Sequence, residues 1–389
     1  MIPPIVPSGI RIAATGLFRR AFGHRRYTGN AKQICAKIVR ACFDDERGFF
    51  RTSLRTYRDF WSRDFGRCAP SLLSLGFREE VTRSYRFALE HYRRAERFAL
   101  VIHPGGGLFD FPAYAPDGFA FFLNGLAALN DASLIDTYSG FLEKELKRFF
   151  RTSVDPRTGI VRSNRRFSEA QDYADRRGSC YSTVMCFTAS CAADRLSLRN
   201  PLAQFDYPNI IQRNFWNGEY FYDDLSKKPY ITGDACIMPF WAGVTERPEK
   251  LFPIVRERLD DAGLTRPVPL RYGAARGPRR PMIWLDKVNP WQRNAVWTCL
   301  GLQYLEVLRR LDPMRYPAAL AQLEQTVETL GCFPEVIDPD TGGLYASAVY
   351  RAEDSMLWAA DLLSLLEARD AQRKNARSEP PSIPSYTVH

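Results

Sequence analysis

Apolar residues recur at three- and four-residue spacing over residues 31–43, 68–99, 118–129, 133–150, 180–197, 249–262, 291–311, 314–331 and 353–370, the signature of helices that bury one face. The segments His103 to Pro116, Val154 to Asp175, Tyr220 to Gly243, Pro267 to Pro290 and Cys332 to Ala348 are rich in Gly, Pro, Asp and aromatic residues and read as loops. Alternating strand patterns are few and short. Helices joined by alternately short and long loops predict hairpins repeated around a ring. That is an all-α (α/α)6 barrel with its long loops at one mouth. No 34- or 40-residue period marks a solenoid of helix pairs. The expected layout is a basic, Pro-containing extension over 1–30, a single barrel domain over 31–371 and a flexible tail over 372–389.

Composition narrows the classes. With 45% hydrophobic and 25% charged residues in 389, the chain has material for a large core. No apolar run approaches the roughly 18 residues of a membrane helix, and Pro3, Pro4 and Pro7 interrupt the N-terminal stretch. A soluble, cytoplasmic protein with no membrane partner is expected. The net charge is +10, and only nine of the 54 basic residues are Lys. The arginines are interspersed with acids, as in Arg93-Arg94-Ala95-Glu96-Arg97, without the basic tract of a nucleic-acid binder. Nine cysteines, odd in number, without a Cys-x-x-Cys and mostly among apolar neighbours, read as reduced core thiols.

Histidine is scarce. Of His24, His91, His103 and His389, only His103 occupies a plausible loop site. A His-based metal centre or a Ser-His-Asp relay lacks its partners, so no metal and no cofactor is expected and chemistry falls to carboxylates. The long loops place acids beside aromatics and arginines, a mixture suited to sugars: rings cover the apolar faces and charged groups bond the hydroxyls. The segments are Tyr57 to Gly66, Pro112 to Phe119, Ser168 to Arg177, Tyr230 to Trp241, Lys287 to Asn294 and Gly331 to Gly343.

At these residues, from Tyr57 to about Leu366, the chain resembles the six-hairpin glycosidases. It is most similar to alkaline and neutral invertases, with trehalase-like and glucoamylase-like features. Arg63-Asp64-Phe65 resembles an Arg-Asp-Phe segment that contacts sugar in the invertases. Asp175-Arg176-Arg177 resembles the run whose Asp is that family's general acid, and Phe333-Pro334-Glu335-Val336-Ile337-Asp338 resembles its Trp-Pro-Glu-Tyr-Tyr-Asp, whose Glu is the second carboxylate. The trehalase pattern would also allow Asp172, three residues earlier, to be the acid. The resemblance implies a glycoside hydrolase acting on a small carbohydrate, with Asp175 and Glu335 catalytic and Arg63, Asp64, Asp117, Asp234, Trp291 and Asn294 binding substrate. Phe333 for Trp, and Val288-Asn289-Pro290-Trp291 for a His-Asn-Gly-Gly-Ser-Trp-Pro run, depart from sucrose specificity.

The chemistry agrees. Glycosidic cleavage needs an acid for the leaving oxygen and a carboxylate on the opposite face, ~6.5–9.5 Å away in an inverting enzyme. Asp175 and Glu335 both precede helices, and burial beside Asp172 would keep the acid protonated; Arg176 and Arg177 are expected to pair elsewhere. Plainer roles compete: Asp172 or Asp175 as a helix cap near Ser179, Glu335 as a loop acid, Arg63 with Asp64 as a structural ion pair, and Trp61, Trp241, Trp284 and Trp291 as core. Competing functions are a sugar epimerase of the same barrel type, which would need the histidines this chain lacks, and a non-catalytic carbohydrate-binding barrel. Dialysis against EDTA leaves activity unchanged on this reading; a loss restored by a divalent ion would contradict it.

Overall fold

The computed structural model describes residues 23–274, 278, 281–282, 292–347 and 350–378. Among them are twelve helices: α1 (Ala31–Cys42), α2 (Ser62–Ser74), α3 (Arg78–Arg94), α4 (Pro116–Leu129), α5 (Ala132–Ser153), α6 (Cys180–Arg195), α7 (Tyr207–Phe215), α8 (Gly233–Trp241), α9 (Pro248–Asp261), α10 (Thr298–Leu311), α11 (Tyr316–Leu330) and α12 (Ala359–Ser378). They form six hairpins, and the even-numbered helices make the inner ring. Helix α2 packs on α4, α4 on α6, α6 on α8 and α8 on α10, while α12 returns to α1 and α2 and closes the ring. This is the (α/α)6 barrel.

Burial separates the two rings. Outer α11 buries a single stripe, Tyr316, Leu320, Leu323 and Val327. Inner α8 buries every residue from Gly233 to Phe240, so its sequence has no polar face and its periodicity vanishes. That is why the segment to Gly243, expected as loop, contains a helix. The run 68–99, expected as one helix, is two: the chain turns at Gly76, whose φ of +90° is left-handed and open to glycine. The short α7 was not anticipated. Helix α10 begins at Thr298 rather than 291, and α12 continues to Ser378, past Ala371 where the domain was expected to end.

Polar caps set several starts. Asn30 and Gln33 form a reciprocal capping box on α1, Asp131 caps α5, Ser179 caps α6 and Asp206 caps α7. Neither Asp172 nor Asp175 caps α6. Connections from inner to outer helices are short, such as 75–77 and 130–131, whereas those from outer to inner run long and carry the strands. Strands β1 (Phe43–Asp44) and β2 (Phe49–Phe50) pair; β3 (Phe60–Trp61), β4 (Val101–Ile102) and β5 (Leu108–Phe109) form a three-stranded sheet; β6 (Val296–Trp297) pairs with β7 (Val336–Ile337). All are antiparallel. Before α1, Arg25 and Tyr27 bond Asp354 and Gly331 through their backbone N–H groups, tying the described start of the chain to the loop that closes the ring.

The inner helices approach closely at glycines. A Cβ on Gly66 would stand 2.5 Å from the Phe121 carbonyl, and one on Gly125 2.6 Å from the Gly66 oxygen. Gly140, on the outer α5, meets nothing within 4 Å. Gly66→Ala therefore lowers unfolding stability by ~3 kcal/mol through forced separation of α2 from α4. Gly140→Ala raises it by up to ~1 kcal/mol through helix propensity. Urea denaturation of the two variants checks both signs.

Candidate active site

The inner helices all begin at the mouth that bears the long loops, and a cavity opens there. Its walls are strongly aromatic, with Tyr57, Trp61, Tyr181, Tyr272, Trp297 and Trp358 among them, and its polar groups are few: Arg63, Asp64, Arg67, Asp172, Gln303 and Glu335. An apolar-walled cleft with few convergent polar groups suits a ligand of sugar size.

Glu335 is fixed by strand pairing. The register of β6 with β7 sets Trp297 opposite Val336, and Thr298 bonds back to the carbonyls of Pro334 and Glu335 (Oγ1 to Pro334 O, 2.8 Å). Its buried carboxylate accepts from the backbone N–H of Glu353 (2.9 Å) and, through a short bond, from the hydroxyl of Tyr350, which itself contacts the Tyr57 hydroxyl at 2.8 Å. Burial pushes the Glu335 pKa up to about 7, against the pull of the Glu353 N–H and the Tyr350 hydroxyl, while the Glu353 charge adds to the rise. Glu353 is held by Ser53 Oγ (3.1 Å) and the Thr56 N–H (2.7 Å).

Across the cavity, Asp172 meets Arg63 Nη1 at 3.3 Å and shares a short hydrogen bond with Ser168. Burial raises its pKa, opposed by Arg63 and by the Ser168 hydroxyl. Arg63 also pairs with Asp117 at 2.9 Å. Asp117 is fully buried, bonded by the Tyr181 hydroxyl (2.9 Å), and raised to about 6 by burial against the charge of Arg63. Asp64 accepts from Trp358 Nε1 at 2.7 Å; burial lifts its pKa while Arg67 and Arg63 hold it down. Arg63 thus has Asp117 and Asp172 as ion-pair partners, in place of the Asp64 pairing that was the plainer expectation.

The two acid candidates part company here. Asp175, three residues beyond Asp172, turns outward: its side chain is 54% exposed and pairs with Arg166 at 3.1 Å, and it is not in the cavity wall. Asp172 is in the wall. Asp234, expected at the substrate, is instead buried against Arg176, which also pairs with Glu169 and Asp223. One guanidinium among three carboxylates is a structural cluster beneath the loop, and burying Arg176 in this way is what swings Asp175 to the other side of the chain. Asp117 lies behind Arg63 rather than on the cavity surface. Asn294 is partly buried outside the cavity wall, and Trp291 and Trp284 lie outside the described residues. Trp61 faces the cavity, whereas Trp241 bonds Glu306 at 2.6 Å near the opposite end of the barrel.

Several cavity or supporting residues carried no role in the sequence reading: Trp297, Trp358, Tyr350, Glu353, Arg67 and Gln303. Arg67 was within reach, because it follows Arg63 and Asp64 at helical spacing once the helix is started at Ser62. Tyr350 and Glu353 had no local signal.

No family model matches the chain, and no curated protein does. Solved structures do. A mannosylglycerate hydrolase of family GH63 from Thermus thermophilus, solved with glucose, superposes with a TM-score of 0.63 at 12% identity, over 86% of this chain and all of that one. A bacterial glucoamylase complexed with acarbose gives 0.65 at 12% over 88% and 55%, and a rhamnosidase from Klebsiella oxytoca with rhamnose bound gives 0.60 at 12% over 87% and 63%. The expected six-hairpin glycosidase fold is therefore present; nothing among these likenesses singles out the invertases.

The raised pKa of Glu335 couples stability to pH. An unfolded Glu ionises near 4.5 and the folded one near 7, so the folded state binds the proton more tightly and loses stability as pH rises between those values. Glu335→Gln does not titrate. Its unfolding free energy, measured against wild type by urea denaturation, gains up to ~3 kcal/mol from pH 4 to pH 8. A difference that is flat with pH would contradict the buried, raised carboxylate.

Proposed function

We propose that the protein is a glycoside hydrolase in which Asp172 is the general acid and Glu335 the general base of an inverting cleavage. The observation that carries this reading is that, of the three carboxylates with raised pKa values that line the aromatic cavity, Asp64, Asp172 and Glu335, the last two come from loops that precede the third and sixth inner helices, positions diametrically opposed in a ring of six. A glycoside bound between them would have its leaving oxygen toward one carboxyl and its other face, with the attacking water, toward the second.

The supporting groups divide the work. Asp172 delivers a proton to the departing oxygen, and burial favours the protonated form that this requires. Arg63 orients Asp172 through Nη1, and Asp117 on its far side offsets enough of its charge to stop it from stripping that proton. Glu335 takes a proton from water, while the Glu353 N–H and the Tyr350 hydroxyl hold its Oε2. Tyr57, joined to Tyr350, stands at the same wall. Trp61, Trp297 and Trp358 offer apolar faces on which sugar rings could pack, and the superposed structures carry glucose, acarbose and rhamnose.

Reducing-sugar release across sucrose, trehalose, maltooligosaccharides, glucosylglycerate and mannosides identifies a substrate. On it, Asp172→Asn and Glu335→Gln each lower kcat by ~10²–10⁴ while Asp175→Asn stays near wild type. The opposite ranking of the two aspartates would reinstate Asp175 as the acid, and three variants equal to wild type would overturn the two-carboxylate reading.

A further inference from the structure

Residues 144–177, under a tenth of the chain, carry ten basic residues and five acids, and so +5 of the net charge of +10. Along the sequence the two signs are mixed; folding separates them. Glu145 and Glu169 are buried, the second against Arg176, and Asp172 turns into the cavity. Arg176 is the one buried cation of the ten, and the acids of the segment left at the surface are Asp155 and Asp175. Glu143, just before it, is engaged by Arg199 at 3.8 Å.

The cations form one surface. Lys144, Lys147 and Arg151 recur at three- and four-residue spacing on the exposed face of α5, over ~10 Å of its axis. The loop that follows folds back on the helix end: the Arg162 N–H bonds the Ser153 carbonyl at 2.7 Å, and Arg165 Nη1 bonds that of Thr152 at 3.4 Å. Arg157 and Arg162 line one recess of this surface, and Arg162, Arg165 and Arg166 line a second. Helix α5 ends at the mouth with the long loops, and Arg166, paired with Asp175, stands two positions before Ser168, which bonds Asp172. One loop therefore turns its acid to the cavity and its arginines to solvent. The α5 dipole calls for a cation only in the last turn, where Arg151 stands. Lys144, Lys147, Arg151, Arg162 and Arg165 have no ion-pair partner among the described residues. Unpaired cations gathered in this way repel one another, and a polyanion relieves that repulsion.

The neighbouring side chains select among polyanions. Phe149 and Phe167 are buried and Phe150 packs on Phe205, so the surface offers no ring on which a nucleic-acid base stacks. The large exposed apolar side chains among the described residues, Ile254 and Met314, lie elsewhere, so nothing here enters a lipid layer. Guanidinium forks match carboxylate and sulfate groups. We propose that this surface docks a polysaccharide bearing carboxylate or sulfate groups and leads it to the barrel mouth. The inference rests on the glycosidase reading for the use made of the mouth. In the cavity, Arg63 and Arg67 meet Asp64, Asp172 and Glu335 without a cationic excess, so the acidic groups belong to sugars outside it.

Calorimetric titration of the full chain at ~50 and ~200 mM salt compares polygalacturonate, dextran sulfate, uncharged dextran, single- and double-stranded DNA and phosphatidylserine vesicles, with the charged probes matched in anionic charge. The expected result is that polygalacturonate or dextran sulfate binds about tenfold or more tightly than dextran, DNA and vesicles, and less tightly at the higher salt; the tighter of the two identifies the anionic group. Two paired variants, Lys147→Gln with Arg151→Gln and Arg157→Gln with Arg162→Gln, each verified as folded by circular dichroism, weaken that binding about tenfold. Should one pair unfold, the other carries the same expectation. Arg86→Gln with Lys250→Gln, exposed on α3 and α9, leaves it unchanged. Binding of dextran as tight as that of the acidic polymers, DNA or vesicles bound as tightly, or equal weakening by the distant pair would each overturn the inference. If the acidic polymer is held as stated but no glycoside is cleaved, the docking surface stands and the hydrolase reading falls. If glycosides are cleaved while acidic and neutral polymers bind alike, the hydrolase reading stands and the docking surface falls.

Discussion

Arg63 joins three hairpins at the barrel mouth. It rises from the first turn of α2, pairs with Asp117 on the first turn of α4, and reaches Asp172 on the loop before α6. A guanidinium buried to this degree is tolerated only with its charge and its planar donors engaged. Its engagement sets the angle between the inner helices and the height of the Asp172 loop together. The glycine contact between α2 and α4 lets these charges meet, because a wider helix separation would draw Asp117 away from Arg63.

The loop that bears Asp172 is pinned a second time from below. Arg176 sinks into Glu169, Asp223 and Asp234, and Ser182 bonds Glu169 at 2.5 Å. With Arg63 above and Arg176 beneath, residues 172 and 175 are forced onto opposite sides of the chain, one into the cavity and one toward solvent. The Glu335 side follows another rule. No cation pairs with it among the described residues; two donors and burial leave its proton affinity high, whereas Asp172 has a cation at hand. Two carboxyls of similar chemistry thereby acquire different environments.

Much of the barrel was legible along the chain because outer helices are amphipathic. Their apolar stripes face the inner ring and their polar faces face water, as in α11 and α5, so the 3.6-residue period survives in the sequence. Of the inner helices, α8 loses that period. Helix α8 is buried all round and contains Pro239, and its pattern cannot be told from an apolar loop. The cluster of acids and aromatics at 57–66 and 168–177, and Glu335 after Pro334, were equally legible, since loops that carry chemistry concentrate residue types a core would exclude.

The sequence by itself determined which acids, arginines and aromatics lie in loops ahead of helices; only the tertiary structure decided which of them share a cavity. The acid candidates Asp172 and Asp175 differ by three residues in a segment without regular periodicity, where no pattern states which side chain faces inward. That direction comes from distant partners: Asp117 by way of Arg63, and Asp223 and Asp234 by way of Arg176, 47 to 58 positions along the chain. Tyr350 and Glu353 reach Glu335 across a loop, and Arg67 lines the same cavity as Gln303 from a helix four hairpins away. Such contacts exist because the ring closes, α12 against α1 and α2, and ring closure is a property of the packed helices that no local stretch of sequence contains.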